Sequence, residues 1–142
     1  MGAYVALGPW ILDVPRLRSV AAASGLDRPA VYLAGAIYWI TVNSVLEEYL
    51  YRWFMYRQLA ARLPRVWAVA GAAAAFTVHH TVALQLQLGW RLAVLGTVGV
   101  FVGSATWSWL YGRTGSVWPG YVSHAIVDAA IFGLGAVMIF GG

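Results

Sequence analysis

Four stretches of this chain, residues 30–62, 66–88, 90–111 and 117–140, stay apolar for about as long as a bilayer is thick. A spanning helix needs ~20 such residues at ~1.5 Å each. In hydrocarbon no water is at hand to satisfy a bare backbone amide, so a span must be a helix or a closed barrel. Continuous apolar runs of this length, punctuated by Pro64, Gly89 and the segment 112–115, predict helices. The composition agrees, with 61% of the 142 residues hydrophobic and 10% charged, against roughly 25% charged in a soluble domain. The expected fold is all-α: a polytopic transmembrane bundle of about four spanning helices behind an N-terminal flanking segment.

Residues 1–12 are apolar but shorter than the ~20 needed to span. They lack a basic leader and a small-residue cleavage site, so they are read as an interfacial or re-entrant segment rather than a signal peptide. Residues 13–29, with Pro15, Gly25 and Pro29, read as a connection holding one or two helical turns. The chain thus divides into a flanking segment, 1–29, and a membrane core, 30–142. The first core helix is longer than the hydrocarbon it crosses, so it should tilt, bend or protrude at the end bearing Arg57 and Arg62. The run from Ala70 to Ala75 offers a small-residue face for close helix contact, and Gly99 with Gly103, one turn beyond Gly96, has GxxxG spacing. Gly112-Arg113-Thr114-Gly115 reads as a turn, and Pro119 falls in the first turn of the last helix.

All nine basic residues are arginines, dispersed along the chain without a basic run. That pattern suits interface anchors and excludes nucleic acid as an expected partner. Their split between the two ends of the helices is nearly even and sets no orientation. The absence of cysteine excludes disulfides, thiol catalysis and thiolate metal sites.

Against this background the polar residues stand out. Three of the five acids, Glu47, Glu48 and Asp128, and all three histidines, His79, His80 and His124, lie within apolar helices. A charged group at membrane depth costs at least ~2.5–3.5 kcal/mol, which makes each a candidate functional group. Glu48 and Arg52 are four residues apart and share a helix face, so they can pair. Glu47 is turned about 100° away and stays free to face a cavity. Phe76 and His80 share a face in the second helix, and His124 and Asp128 in the fourth. A carboxylate one turn from an imidazole can orient its ring. Each group also has a plainer explanation, as a helix-end residue, a packing residue or a polar tie between helices. Convergence on one site would satisfy them together, whereas dispersed they would each need a separate partner. Whether His79 faces such a site or lipid stays open.

Glu47-Glu48-x-x-x-Arg52, Phe76-x-x-x-His80 and His124-x-x-x-Asp128, in that order on separate apolar helices, resemble the motif set of the CPBP family. These are the CAAX-protease and bacteriocin-processing intramembrane endopeptidases. Ser116-Val117-Trp118-Pro119-Gly120 and Ser123-His124-Ala125 are similar to the lead-in to the last motif. The resemblance covers residues 46–132, with Trp53 standing where many members carry glycine. It implies a fold of membrane helices and an endopeptidase acting on a membrane-anchored protein or peptide, near its C-terminal region, in the lipid bilayer. It also implies roles: Glu47 as the base that activates water, His80 sharing that water, His124 and Asp128 stabilising the oxyanion, and Glu48, Arg52 and Phe76 in support.

No cofactor is expected, because neither histidine is spaced as a ligand partner of the Glu47-Glu48 pair. Zinc would otherwise draw on Glu47, His80 and His124. The short chain and its Ala-, Arg- and Trp-rich, lysine-free composition point to a small member in a prokaryotic cytoplasmic membrane, comparable to proteases that process C-terminal sorting tails such as the myxosortases. Two other classes stay open: a non-catalytic immunity or scaffold protein of the same family, and a small proton- or metal-coupled carrier. The latter would be favoured by an inverted repeat, and none is visible.

Overall fold

The computed structural model describes residues 13–88 and 90–141, so the expectation for residues 1–12 lies outside the described residues. Among these residues five helices follow in order: α1 (Val14–Ala23), α2 (Pro29–Ala60), α3 (Arg65–Leu88), α4 (Trp90–Thr114) and α5 (Trp118–Phe140). No strand occurs among the described residues. The last four helices are each long and apolar enough to cross a membrane.

Residues 13–29 hold more helix than expected. Asp13 caps α1 by accepting the Arg16 N–H at 3.0 Å, and Pro15 sits in the first turn, where its missing N–H costs nothing. The helix runs ten residues before Gly25, at φ +72°, turns the chain. From α1 the Arg18 guanidinium donates to the carbonyls of Met138 (2.9 Å) and Gly141 (2.6 Å), satisfying the C-terminal end of α5. These long-range contacts stabilise a helix that the local sequence only weakly specifies.

Helix α2 is not uniformly α-helical. Over Tyr38–Asn43 and again over Tyr49–Tyr56 its turns widen to the π form, leaving one regular turn, Ser44–Glu48, between them. Such wide turns are rare and concentrate at functional sites. The regular turn they bracket carries Ser44, Glu47 and Glu48.

The small-residue tract performs as its composition suggests. Within it Ala72 and Ala73 are fully buried, as is Ala68 one turn before Ala72, and Leu59 packs against Gly71. Ala68 and Ala72 join Tyr56 and Tyr111 in the apolar core that ties α2, α3 and α4. Helices α3 and α4 run antiparallel, since Arg65 at the start of α3 donates to the Trp109 carbonyl near the end of α4. Thr81 and Thr97 exchange a 2.9 Å hydrogen bond along the same interface. Tyr32 ties α2 to α5 by donating to the Phe132 carbonyl at 2.6 Å.

Two expectations about glycine are corrected. The segment 112–115 is not a turn: α4 continues to Thr114, and only Gly115, at φ +66°, ends it, its N–H returning to the Tyr111 carbonyl at 2.8 Å. Gly112 is instead a point of close approach, where the Tyr56 hydroxyl occupies the space a Cβ would take. In the GxxxG pair, Gly99 faces nothing within 4 Å among the described residues, and the nearest atoms to Gly103 belong to Trp107 of its own helix. It is Gly96 that admits a neighbour, Leu84 of α3.

The bundle is inverted relative to a water-soluble protein. Leucines, isoleucines, valines and tryptophans cover the outside, including Leu33, Trp67, Leu86, Val98, Ile126 and Val137. Ser44, Glu48, Arg52, Thr77, Ser104, Ser108 and His124 are buried. Apolar surface on this scale is not tolerated by a soluble monomer and matches a lipid surround.

Candidate active site

The buried polar groups gather around α2, against α3, α4 and α5. At the base is the Glu48–Arg52 pair, Nη1 to Oε1 at 3.2 Å, with side chains 1% and 0% exposed. Arg52 Nη2 also donates to Ser104 Oγ on α4 at 3.0 Å. Its guanidinium lies 4.6 Å from the Phe76 ring centre and 5.2 Å from that of Trp107, so its charge is met by π faces as well as by the carboxylate. Glu48 Oε2 packs against Gly120, where an added Cβ would stand 2.6 Å from it. Gly120 lets α5 approach this carboxylate.

Glu48 has a second partner. His124 Nδ1 donates to Glu48 Oε1 at 3.0 Å, and the His124 ring stacks on Trp107 with centres 4.1 Å apart. With Nδ1 so engaged, Nε2 is the atom His124 presents to the site. It lies 3.6 Å from Glu47 Oε2 and 3.7 Å from Asp128 Oδ2. The orienting carboxylate of His124 is therefore Glu48, from another helix, rather than Asp128 one turn away. Asp128 Oδ2 instead accepts a 2.8 Å hydrogen bond from the fully buried Ser44.

Glu47, turned away from Glu48 as the helix requires, projects into the centre and is 15% exposed. Its Oε1 faces His80 Nε2 at 3.9 Å and His79 Nε2 at 3.5 Å. The His80 Nδ1–H donates to the Phe76 carbonyl at 3.0 Å, which keeps Nε2 free of a proton in the neutral ring and turned to Glu47. Phe76 also stacks on the His80 ring at 4.3 Å between centres. His79, whose direction the sequence left open, belongs to the cluster. Its Nδ1 shares a 3.0 Å hydrogen bond with the Tyr51 hydroxyl, and its ring stacks on Tyr51. Exposure of the site rises in the same direction, from sealed Glu48 and Arg52, through half-buried Glu47, Asp128 and His80, to His79, 46% exposed. The site opens beside His79.

All seven residues singled out by the spacing, Glu47, Glu48, Arg52, Phe76, His80, His124 and Asp128, are brought to one locus. Spacing within single helices did not reveal Ser44, Tyr51, Ser104, Trp107 or the part played by His79. Ser44 precedes Glu48 by one turn and could have been placed on its face. Trp107 has no sequence signal beyond being aromatic.

A cation could be held here. One donor atom each from Glu47, His79 and His80 lie within 4.8 Å of one another. Two imidazoles and a carboxylate suit zinc. This trio contains His79 in the place the sequence had assigned to His124.

The family model described as type II CAAX prenyl endopeptidase Rce1-like matches residues 29–130, more than half of the chain. No curated protein and no solved structure gives a match. The matched span begins with the first residue of α2 and ends just beyond Asp128, so it takes in the whole polar cluster.

Proposed function

The chain belongs to the Rce1-like family of type II CAAX prenyl endopeptidases, and from that premise we propose that it is an intramembrane endopeptidase using Glu47 to activate water. The observation that carries this reading is the placement of Glu47. It is a partly exposed carboxylate at the centre of the polar cluster, with imidazoles of two other helices within 4 Å of its oxygens.

Peptide hydrolysis needs a base for the attacking water, donors for the oxyanion and a proton for the leaving amine. The two Glu47 oxygens look toward different partners. On the Oε1 side, water held by Glu47 and the bare Nε2 of His80 gives a proton to Glu47 as its oxygen attacks the carbonyl carbon. On the Oε2 side, His124 Nε2 and Asp128 border the place where the carbonyl oxygen becomes negative. In their protonated forms both are donors, an N–H and an O–H. Collapse of the tetrahedral intermediate expels the amine, which takes the proton from Glu47. Glu48, anchored by Arg52, keeps His124 Nδ1 engaged and so aims Nε2. Separations of 3.6–3.9 Å around Glu47 exceed direct hydrogen bonds, as is common before substrate or water closes such a site. A zinc ion on Glu47, His79 and His80 would supply a Lewis acid there; the proposed route instead assigns Glu47 to water.

The substrate is a membrane-anchored protein cut near its C-terminal region, where a chain leaving the bilayer meets the site. Prenylated CAAX tails and C-terminal sorting tails both meet that description, and we favour sorting tails, in a prokaryotic cytoplasmic membrane, on the lysine-free, Ala-, Arg- and Trp-rich composition.

The test is co-expression with membrane-anchored proteins of the same genome, comparing wild type with Glu47→Gln by intact mass. A fragment made by the wild type and reduced about 10²–10⁴-fold by the loss of the base is the expected result. Equal processing by both would sink the mechanism. A candidate bound tightly yet left whole by both would put the non-catalytic immunity or scaffold alternative ahead.

A further inference from the structure

His79 has no part in the proposed hydrolysis, yet its Nε2 lies closer to Glu47 Oε1, at 3.5 Å, than that of His80 does, at 3.9 Å. We propose that Glu47, His79 and His80 form a binding site for a divalent transition metal of the zinc class, and that its occupation inhibits the protease by withholding Glu47 from water. The inhibitory half rests on Glu47 being the base; the metal site itself does not.

Three features carry this. The first is donor type and spread: two imidazole nitrogens and a carboxylate oxygen within 4.8 Å of one another. A tetrahedral ion with ligand bonds of ~2.0–2.2 Å holds its donors roughly 3.3–3.5 Å apart, so small side-chain movements close the set. The second is what lies behind each ring. His80 Nδ1 donates to the Phe76 carbonyl, and His79 Nδ1 meets the Tyr51 hydroxyl, whose oxygen can accept a hydrogen bond from it. Both Nε2 lone pairs are then aimed at Glu47, the outer hydrogen bonding that metal-binding histidines rely on for tautomer and aim. The third is access. His79 is the most exposed member of the cluster, so an ion can enter beside it without opening the Glu48–Arg52–His124 interior.

The geometry separates this trio from a set using His124. That ring points Nε2 at Glu47 Oε2, the other carboxylate oxygen, and holds its Nδ1 on Glu48. An ion on Oε1 lies on the His79–His80 side and takes the oxygen that the attacking water would use.

The experiment is calorimetric titration of the full-length protein in detergent, stripped with chelator, with zinc chloride. One equivalent of zinc is expected to bind. His79→Gln should weaken binding by about tenfold or more, since loss of an outer hydrogen bond alone costs 10–100-fold. His124→Gln should bind as wild type does. Circular dichroism establishes that both variants retain the helical fold, and a cobalt(II) absorption spectrum reports tetrahedral coordination in the wild type and its loss in His79→Gln. Absence of stoichiometric binding, undiminished binding by His79→Gln, or loss in His124→Gln in its place would overturn the site. In the cleavage assay zinc should suppress processing and chelator restore it. Zinc binding that leaves cleavage unchanged, or cleavage that needs zinc, would overturn the inhibitory half while leaving Glu47 open to its own test.

Discussion

Glu48 and Arg52 show how one residue can be both a liability and a requirement. Withdrawing two charges from solvent is costly, and their mutual attraction repays it only with good geometry and further hydrogen bonds. Here Ser104 and two aromatic faces serve Arg52, and His124 serves Glu48. Removing one partner leaves the other charged and alone. Arg52→Met should therefore destabilise the protein by about 3–5 kcal/mol, measured by denaturant unfolding in micelles. The double variant Glu48→Gln/Arg52→Met should lie closer to wild type than Arg52→Met does, because no buried charge is then left unmatched. If the double variant is at least as unstable as that single one, the pair is not the unit described. Either change removes the carboxylate–guanidinium anchor behind His124, so activity should fall even where stability is regained.

Among the helices, glycine separates apparent packing motifs from real ones. Gly112 and Gly99 both lie within α4, yet only Gly112 has a neighbour in the place of its missing side chain, the Tyr56 hydroxyl of α2. Gly112→Ala should cost about 1–3 kcal/mol through overpacking of the Tyr56–Tyr111 core. Gly99→Ala meets none of the described residues within 4 Å and relieves a glycine in a helix interior, for a gain of up to about 1 kcal/mol. Opposite shifts of the thermal midpoint are expected, and a loss at Gly99 would show an undescribed neighbour. The π turns of α2 also act at this scale. By flanking Ser44–Glu48 on both sides they allow Ser44 to meet Asp128, Glu47 to face the histidines and Glu48 to reach both Arg52 and His124.

For the whole molecule, the decisive property is that polarity runs inward. Outer faces rich in leucine, valine and tryptophan leave few places for charge, so the acids and histidines of the spans collect in one cluster, open on one side. The fold class was legible before any coordinates because the bilayer imposes it. Length, apolar continuity and the punctuation by Pro64, Gly89 and the segment 112–115 suffice to specify an all-α bundle with four spans. Spacing within a helix was likewise enough to pair Glu48 with Arg52 and to turn Glu47 away from it, since a residue's neighbours one turn along depend only on helical period. What crosses between helices was not legible. Asp128 takes its hydrogen bond from Ser44 while facing His124, Glu48 took the role of orienting that ring, and His79 faces Glu47 with Tyr51 on its far nitrogen. Each of those outcomes depends on how helices are rotated and spaced against one another. The period of a single helix contains no such information, and only the assembled bundle decides it.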